Sequence, residues 1–346
     1  MTLAARETQL QAWLQSLPHY EPEQFHMISG DASFRRYFRF SHQGKSYIAV
    51  DAPPATEKNQ EFVALSSAYK AVGVNVPEVL DADLVQGFMV LADFGDQLFS
   101  LQIQQGDAVL WYQRALDELP KIQQVKQIHN NEGLIELPAF DRDFLVTEYA
   151  LFNDWLLKQY LDLSLTAAQW QVIHDCQTFL TQVFVAQPQA GVHRDYHSRN
   201  LMICGDKEAE SAIGVIDFQD AMIGPITYDA VSLLRDCYVV WPNEFVQQQL
   251  QRLHQQNYAQ HSWQDFRFWF DCVGMQRHIK ASGIFSRLCL RDGKSGYLND
   301  IPRTLQYLIT VGSTIPECQA FVELVAEIVL PAMENKLTGN AAQAPA

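Results

Sequence analysis

The stretch that decides the fold of this 346-residue chain is His193-Arg194-Asp195-Tyr196-His197-Ser198-Arg199-Asn200, in which an aspartate and an asparagine stand five positions apart. Two short apolar runs, 201–204 and 213–216, follow the stretch, and the second run ends directly at Asp217. Apolar runs of this length predict two strands of a hairpin. We therefore expect the hairpin to lie beneath the stretch and to bring its polar residues close to Asp217.

The pattern H-R-D-x-x-x-x-N is that of the loop on which kinases transfer a γ-phosphoryl group. This reaction needs a carboxylate that accepts the proton of the attacking hydroxyl, and a divalent cation that neutralises phosphate charge. Mg²⁺ prefers oxygen ligands and keeps several waters, so one carboxylate and one amide oxygen suffice. We assign Asp195 as the base and Asn200 and Asp217 as metal ligands, with ATP as the donor. Arg194 is expected to hold the loop, and His197 to stabilise it or to contact phosphate.

At these residues the chain resembles the aminoglycoside phosphotransferase family of small-molecule kinases. His197 supports the likeness, because this family typically has histidine where protein kinases usually have lysine. The segment Gly224-Pro225-Ile226-Thr227-Tyr228-Asp229 is similar to the family's Gly-x-Pro-x-x-Tyr-Asp motif, although the glycine and proline are adjacent here. The resemblance implies an α+β, two-lobed protein-kinase-like fold, with a small antiparallel-sheet N-lobe and a mainly helical C-lobe.

Within that family the chain resembles the bacterial sugar anomeric kinases of cell-wall recycling, which phosphorylate N-acetylmuramate and N-acetylglucosamine at the C1 hydroxyl. Besides the catalytic loop, this likeness rests on segments 30–38, 51–54, 276–280 and 291–294. It implies a sugar kinase that transfers phosphate to an alcohol group of an amino sugar. Two alternatives stay open: a kinase of another acceptor, such as an aminoglycoside or a choline-like alcohol, and a nucleotide-binding pseudokinase.

Composition is that of a globular protein, with 48% hydrophobic and 19% charged residues. The net charge of −15 opposes nucleic-acid binding, which needs clustered lysine and arginine. The six cysteines form no C-x-x-C pair, as is typical of reduced thiols in the cytoplasm. No secretion signal or long apolar run is apparent, so we expect a cytoplasmic enzyme without a membrane partner. The oligomeric state and the preference for ATP over GTP stay open.

The length of the chain favours two lobes. We predict a nucleotide-binding lobe over 1–95, a catalytic and substrate lobe over 96–338, and a disordered tail over 339–346. The turn before β-rich residues 34–40 stands where kinases place the glycine-rich loop that covers the phosphates. The nucleotide-binding candidates there are Gly30, Asp31, Ala32, Ser33, Arg35 and Arg36. Consecutive strand residues face opposite ways, so at most one of the two arginines should reach the nucleotide. The backbone of Leu91, Ala92, Asp93 and Phe94 is the candidate hinge for adenine.

Asp51 stands where kinases carry the lysine of the V-A-I-K strand, which binds the α- and β-phosphates and a helix glutamate. A carboxylate cannot pair directly with phosphate. Either an arginine replaces the lysine, or Asp51 reaches phosphate through Mg²⁺, or the chain is a weak catalyst. We favour an active enzyme with altered phosphate anchoring, which makes Glu61 a doubtful helix glutamate.

A second group of cations follows the loop in sequence. Arg277, Lys280, Arg287 and Arg291 are spaced for one helical face, provided that the helix continues past Gly283. Such a face would bind an acidic substrate group, for example the lactyl carboxylate of N-acetylmuramate, through the bidentate fork of arginine. A solvated or internally paired face is the alternative.

Overall fold

The computed structural model describes residues 3–29, 34–130, 133–205 and 212–343. The chain forms two compact units, one of Met1–Leu137 and His193–Ala221 and the other of Pro138–Val192 and Met222–Ala346. We call them the sheet unit and the helical unit. An antiparallel sheet in the first and mainly helices in the second confirm the predicted fold class. The lobe boundaries predicted from the sequence stay a prediction.

Strands and α-helices are interspersed up to Pro225, and only helices follow it in the described part of the chain. The strands are β1 (Glu23–Ser29), β2 (Arg36–His42), β3 (Lys45–Asp51), β4 (Val79–Asp83), β5 (Phe88–Ala92), β6 (Gln127–Asn130), β7 (Gly133–Glu136), β8 (Gln189–Val192), β9 (Leu201–Ile203), β10 (Ile213–Val215) and β11 (Met222–Pro225). The α-helices are α1 (Leu3–Ser16), α2 (Asn59–Ala71), α3 (Phe99–Gln102), α4 (Ala108–Ile122), α5 (Arg142–Ala150), α6 (Ala167–Ala186), α7 (Tyr228–Leu234), α8 (Asn243–Asn257), α9 (Trp263–Asp292), α10 (Ile301–Gly312), α11 (Gln319–Leu324) and α12 (Leu330–Gln343). The π-helical segments are Leu151–Tyr160 and Val325–Val329.

The sheet unit is built on a five-stranded antiparallel sheet in the order β1-β2-β3-β5-β4. Alternate residues of β2 face one side, and Phe38 and Phe40 on that side form a buried core with Leu10 and Leu14 of α1. Helix α1 is therefore held to one face of the sheet by apolar burial. The loop 193–200 and the strands β9 and β10 belong to the same unit.

The helical unit is organised around the 30-residue helix α9. The side chain of Ser262 caps its first turn by accepting a hydrogen bond from the Asp265 N–H, and Gly293 ends it in the left-handed conformation. Helix α6 begins with a capping box formed by Thr166 and Gln169. Helix α12 continues to Gln343, into the segment that the sequence predicted to be disordered. Among the described residues, no helix combines the length and apolarity needed to span a membrane.

Helix α9 continues through Gly283 without interruption. Glycine is needed at this position because the backbone of Leu151 and Phe152 passes very close to it. A Cβ atom on Gly283 would lie 2.2 Å from the carbonyl carbon of Leu151 and 2.4 Å from the backbone nitrogen of Phe152. Only a residue without a side chain lets these two backbones approach so closely. Glycine at this position therefore serves packing between α9 and the π-helical segment.

Gly283→Ala should lower the free energy of unfolding by about 1–3 kcal/mol, because the added methyl group meets backbone that cannot turn aside. The expected loss exceeds the gain of about 1 kcal/mol that alanine brings to a helix interior. Urea unfolding measures it. Gly296→Ala is the matched control, since no atom lies within 4 Å of a Cβ there. Equal stability of the two variants would contradict the packing role.

Candidate active site

The predicted hairpin carries the site. Strands β9 and β10 pair antiparallel, with Leu201 opposite Val215 and Ile203 opposite Ile213. Beyond the last pair, the backbone N–H of Ile216 donates to the carbonyl of Asn200 at 3.0 Å. This bond aligns the end of the loop with the residue that precedes Asp217.

The three polar residues assigned from the sequence come together. Asn200 Nδ2 donates to Asp217 Oδ2 at 3.2 Å and to the backbone carbonyl of Asp195 at 3.0 Å. Both bonds use the amide nitrogen of Asn200, so its side-chain oxygen is the atom available as a metal ligand. The proposed base and the two proposed metal ligands therefore share one hydrogen-bonded cluster in the sheet unit.

Hydrogen bonds of His193 and Tyr196 hold the loop on both sides of Asp195. His193 is fully buried, and its Nε2 lies 3.0 Å from the carbonyl oxygen of Ile216. Because that oxygen only accepts, Nε2 carries the proton, and Nδ1 accepts the backbone N–H of Asp195 at 3.3 Å. The buried Tyr196 hydroxyl donates to the carbonyl of Ala115 at 2.7 Å. These contacts fix the backbone on both sides of Asp195.

Two residues of the site have left-handed backbone conformations that non-glycine residues rarely adopt. The φ angles are 75° at Arg194 and 64° at Asp217. Arg194 Nη1 also donates to the carbonyl of Asp220 at 3.4 Å, which agrees with the predicted loop-holding role. His197 Nε2 lies 3.4 Å from Asn200 Nδ2, on the loop side of the cluster. Backbone strain of this kind persists only where surrounding contacts impose it, and it concentrates at functional sites.

The electrostatics at Asp217 suit a bound cation. Burial raises the pKa of Asp217, and the negative charge of Asp195 raises it further. A hydrogen bond from Gln219 and the charges of His197 and Arg35 act in the opposite direction on this pKa. A divalent cation bound to Asp217 would also lower this pKa, because it would stabilise the ionised carboxylate.

The side chains that could bind a metal at this site suit Mg²⁺ better than a metal that is coordinated by protein ligands alone. Within the described ranges, no group of three His, Cys, Asp or Glu side chains could hold a metal ion. One carboxylate, from Asp217, and one amide oxygen, from Asn200, are the set that suits Mg²⁺ when nucleotide phosphates and water complete the coordination.

Asp51 is a structural residue of the sheet unit. It is fully buried, and its two oxygens accept hydrogen bonds from Arg6 Nε at 2.7 Å and from Arg36 Nη2 at 2.6 Å. Arg36 also donates to the carbonyl of Leu3 at 2.8 Å. Asp51 thus anchors α1 to the sheet, and the contacts of Arg36 do not support its prediction as a phosphate ligand.

Arg35 contacts a different group of residues from Arg36. Its guanidinium donates from Nη1 to Gln219 Oε1 at 3.0 Å and lies 3.3 Å from Glu57 Oε2. Gln219 in turn donates to Asp217 Oδ1 at 2.9 Å. Burial raises the pKa of Glu57, and the charge of Arg35 partly offsets that effect. Glu61, the doubtful helix glutamate, is exposed on α2.

Sequence reasoning missed Glu57 and Gln219. Gln219 had a signal, because it occupies the third position of Asp217-Phe218-Gln219, where the kinase Asp-Phe-Gly motif has glycine. Glu57 had none, since it lies in an irregular connection ahead of α2. Its role follows only from the fold that brings Arg35 to it.

The other nucleotide candidates fall in two places. Gly30, Asp31, Ala32 and Ser33 lie outside the described residues. In the predicted hinge, Leu91 and Ala92 belong to β5, and the Ala92 N–H donates to the carbonyl of Glu78 at 2.9 Å. The Asp93 carboxylate accepts from Arg39 Nε at 2.7 Å. The backbone of Asp93 and Phe94 follows the strand and stays our candidate for the adenine contact.

The cationic face predicted for the substrate lies on α9 in the helical unit. Arg277 and Lys280 are buried, and Lys280 Nζ lies 2.9 Å from Glu148 Oε1. Arg291 is exposed and donates to its neighbour Asp292 at 2.7 Å. Burial lowers the pKa of Arg287, which is half-buried. The four residues share a continuous helix, but two of them are internal, and their role in substrate binding stays a prediction.

Three residues together define the kinase-like phosphotransferases: an aspartate on a loop, an asparagine five residues later and an aspartate at the end of a strand. In this chain all three belong to the antiparallel sheet unit, and the second unit is mainly helical. Residues 25–264 match the model of the phosphotransferase enzyme family, and the chain belongs to this family.

Named relatives are similar over almost the whole chain. The N-acetylmuramate/N-acetylglucosamine kinase of Pseudomonas aeruginosa is 39% identical over 342 residues, covering 94% of this chain and 97% of the relative. The kinase of the same name from Neisseria meningitidis is 36% identical, covering 94% and 96%. Among solved structures, the choline kinase LicA of Streptococcus pneumoniae has a TM-score of 0.61 at 13% identity, covering 88% of this chain and 99% of that one. That likeness supports the fold alone.

Proposed function

We propose that this protein is an ATP- and Mg²⁺-dependent kinase that phosphorylates the anomeric C1 hydroxyl of N-acetylmuramate or N-acetylglucosamine. The observation that carries the kinase activity is the cluster of Asp195, Asn200 and Asp217 around one amide group. The choice of sugar is supported by relatives at 36% to 39% identity whose names are N-acetylmuramate/N-acetylglucosamine kinase. A small-molecule acceptor also agrees with the net charge of −15, which opposes nucleic acid.

The residues of the loop divide the chemistry. Asp195 accepts the proton of the C1 hydroxyl as its oxygen attacks the γ-phosphorus of ATP, and the bond from that phosphorus to the β-phosphate oxygen breaks. The products are the sugar 1-phosphate and ADP. Asn200 and Asp217 would hold Mg²⁺, which would neutralise charge on the phosphates. His193 and Arg194 keep the loop backbone in place, and His197 positions the amide of Asn200.

A coupled assay of ADP release tests the proposal. We expect Mg²⁺-dependent turnover with N-acetylmuramate and N-acetylglucosamine, and phosphorus NMR should identify a C1 phosphate as the product. The 1-O-methyl glycoside of N-acetylglucosamine is the matched control acceptor, because it differs by lacking the free C1 hydroxyl. It should not be phosphorylated.

Other outcomes would point elsewhere. Turnover of the methyl glycoside would contradict the anomeric position, and turnover with kanamycin or choline alone would favour the alternative acceptors. Nucleotide binding without turnover of any of these acceptors would contradict the proposed activity and favour a pseudokinase.

A further inference from the structure

The position of the missing lysine raises the question of which cation binds the nucleotide phosphates. In kinases, a strand lysine paired with a helix glutamate serves this purpose. Asp51 cannot do so, because both of its oxygens are bound to Arg6 and Arg36 on the α1 face of the sheet. A kinase site on this chain therefore needs a different cation, and two candidates lie in the sheet unit together with Asp217.

Strand geometry directs Arg35 to the opposite face from Arg36. Arg36 and Asp51 are cross-strand partners in the β2–β3 pair, and the side chains of directly paired residues lie on the same face. The residue before Arg36 projects to the other face, because side chains alternate along an extended chain. The contact of Arg35 with Gln219 agrees with this alternation.

The surroundings of Arg35 orient its charge towards the metal ligand. Two hydrogen bonds through Gln219, of 3.0 and 2.9 Å, connect the guanidinium to the Asp217 carboxylate. Glu57 lies on one side of the guanidinium at 3.3 Å, and the ring of Phe62 lies beneath it at 4.8 Å. The side chain is only 1% exposed, so its rotamer is set before any ligand binds.

We propose that Arg35, held by Glu57 and Gln219, is the cation that binds the nucleotide phosphates, in the role that lysine and glutamate share in other kinases. The inference rests on the proposed kinase function, since it needs ATP as a substrate. Kinase metal ions bridge the β- and γ-phosphates, so a cation linked to the metal-ligand carboxylate lies close to them. The planar fork of arginine suits phosphate oxygens and stays charged when buried.

Lys58 is the rival cation. Its Nζ lies 2.7 Å from Asp220 Oδ1, also close to the segment that carries Asp217. Its side chain is 59% exposed, however, and a mobile exposed ammonium loses more conformational freedom on binding than a buried, paired guanidinium. The two cations therefore make a matched pair for substitution.

Calorimetric titration with ATP and Mg²⁺, without any acceptor, tests the proposal. Arg35→Met should weaken ATP binding by about 10- to 100-fold, since it removes a charged contact to phosphate. Adenosine binding should stay unchanged, because adenosine lacks phosphate. Arg35→Lys should recover part of the ATP affinity, and Lys58→Met should bind ATP like the unaltered protein.

Two results would overturn the role of Arg35: unchanged ATP affinity of Arg35→Met, or a larger loss in Lys58→Met. If Arg35→Met fails to fold because Glu57 is left unpaired, the double variant Arg35→Met/Glu57→Gln removes both charges and is titrated instead, with the same expected loss. The titration needs no sugar, so failure of every acceptor would refute the proposed function without affecting this result. Absence of ATP binding by the unaltered protein would refute both.

Discussion

Asp195→Asn should lower kcat by about 10²- to 10⁴-fold and leave the affinity for ATP within a few-fold of the original. Asparagine has nearly the same shape as aspartate but cannot accept the proton of the attacking hydroxyl. The bond from Asn200 to the loop should stay intact, because it goes to the backbone carbonyl of Asp195, which the substitution does not change. Turnover is measured by ADP release, and ATP affinity by titration without acceptor.

A surface carboxylate provides the control for Asp195. Asp154 lies in the helical unit, where it accepts a hydrogen bond from Lys158 one helical turn later at 2.8 Å. Asp154→Asn should leave both kcat and ATP affinity unchanged, since exposed pairs of this kind contribute little. Retained turnover in Asp195→Asn would remove Asp195 as the base, whereas a joint loss of turnover and ATP binding would indicate damage to the whole loop.

Asp51→Ala should lower the free energy of unfolding by about 3–5 kcal/mol, the usual cost of removing one partner from a buried ion pair. The carboxylate is fully buried, and the side chains of Arg6 and Arg36 are only 15% and 11% exposed. The substitution would leave two guanidinium groups without their shared partner. Since Arg6 belongs to α1, hydrogen exchange of residues 3–16 should accelerate together with the fall in the urea midpoint.

Asp96 offers a matched control for Asp51. It also binds an arginine, with Arg39 Nη1 at 2.6 Å from its Oδ1, but its own side chain is 84% exposed. Asp96→Ala should therefore cost no more than about 1 kcal/mol. If the two substitutions cost the same, burial of the Asp51 cluster does not anchor α1. If Asp51→Ala left stability intact but abolished ATP binding, a direct role of Asp51 in the nucleotide site would replace the structural one.

Local sequence patterns determined the parts of this protein that depend on neighbouring residues. The loop 193–200 and the apolar runs after it predicted both the hairpin and its polar cluster, because a short motif fixes its own backbone and the spacing of its side chains. The capping box of Thr166 and Gln169 also depends only on residues three positions apart. Family resemblance extended these local patterns to the kinase-like fold.

Tertiary structure alone decided which charges meet. Asp51 and Arg6 are 45 residues apart, and Arg35 and Gln219 are 184 apart, so no periodicity relates them. The sequence predicted that at most one of the two adjacent arginines would face the nucleotide, but only the strand register and the contacts of Arg36 show that Arg36 faces α1.

The cations of α9 follow the same principle. Their spacing predicted a shared face only if the helix continued past Gly283, and α9 does continue to Asp292. The burial of Lys280 against Glu148, which is 132 positions earlier, depends on packing within the helical unit. A helical pattern specifies which residues share a face. Whether that face meets solvent, a ligand or an internal carboxylate is decided by the distant segments that fold against it.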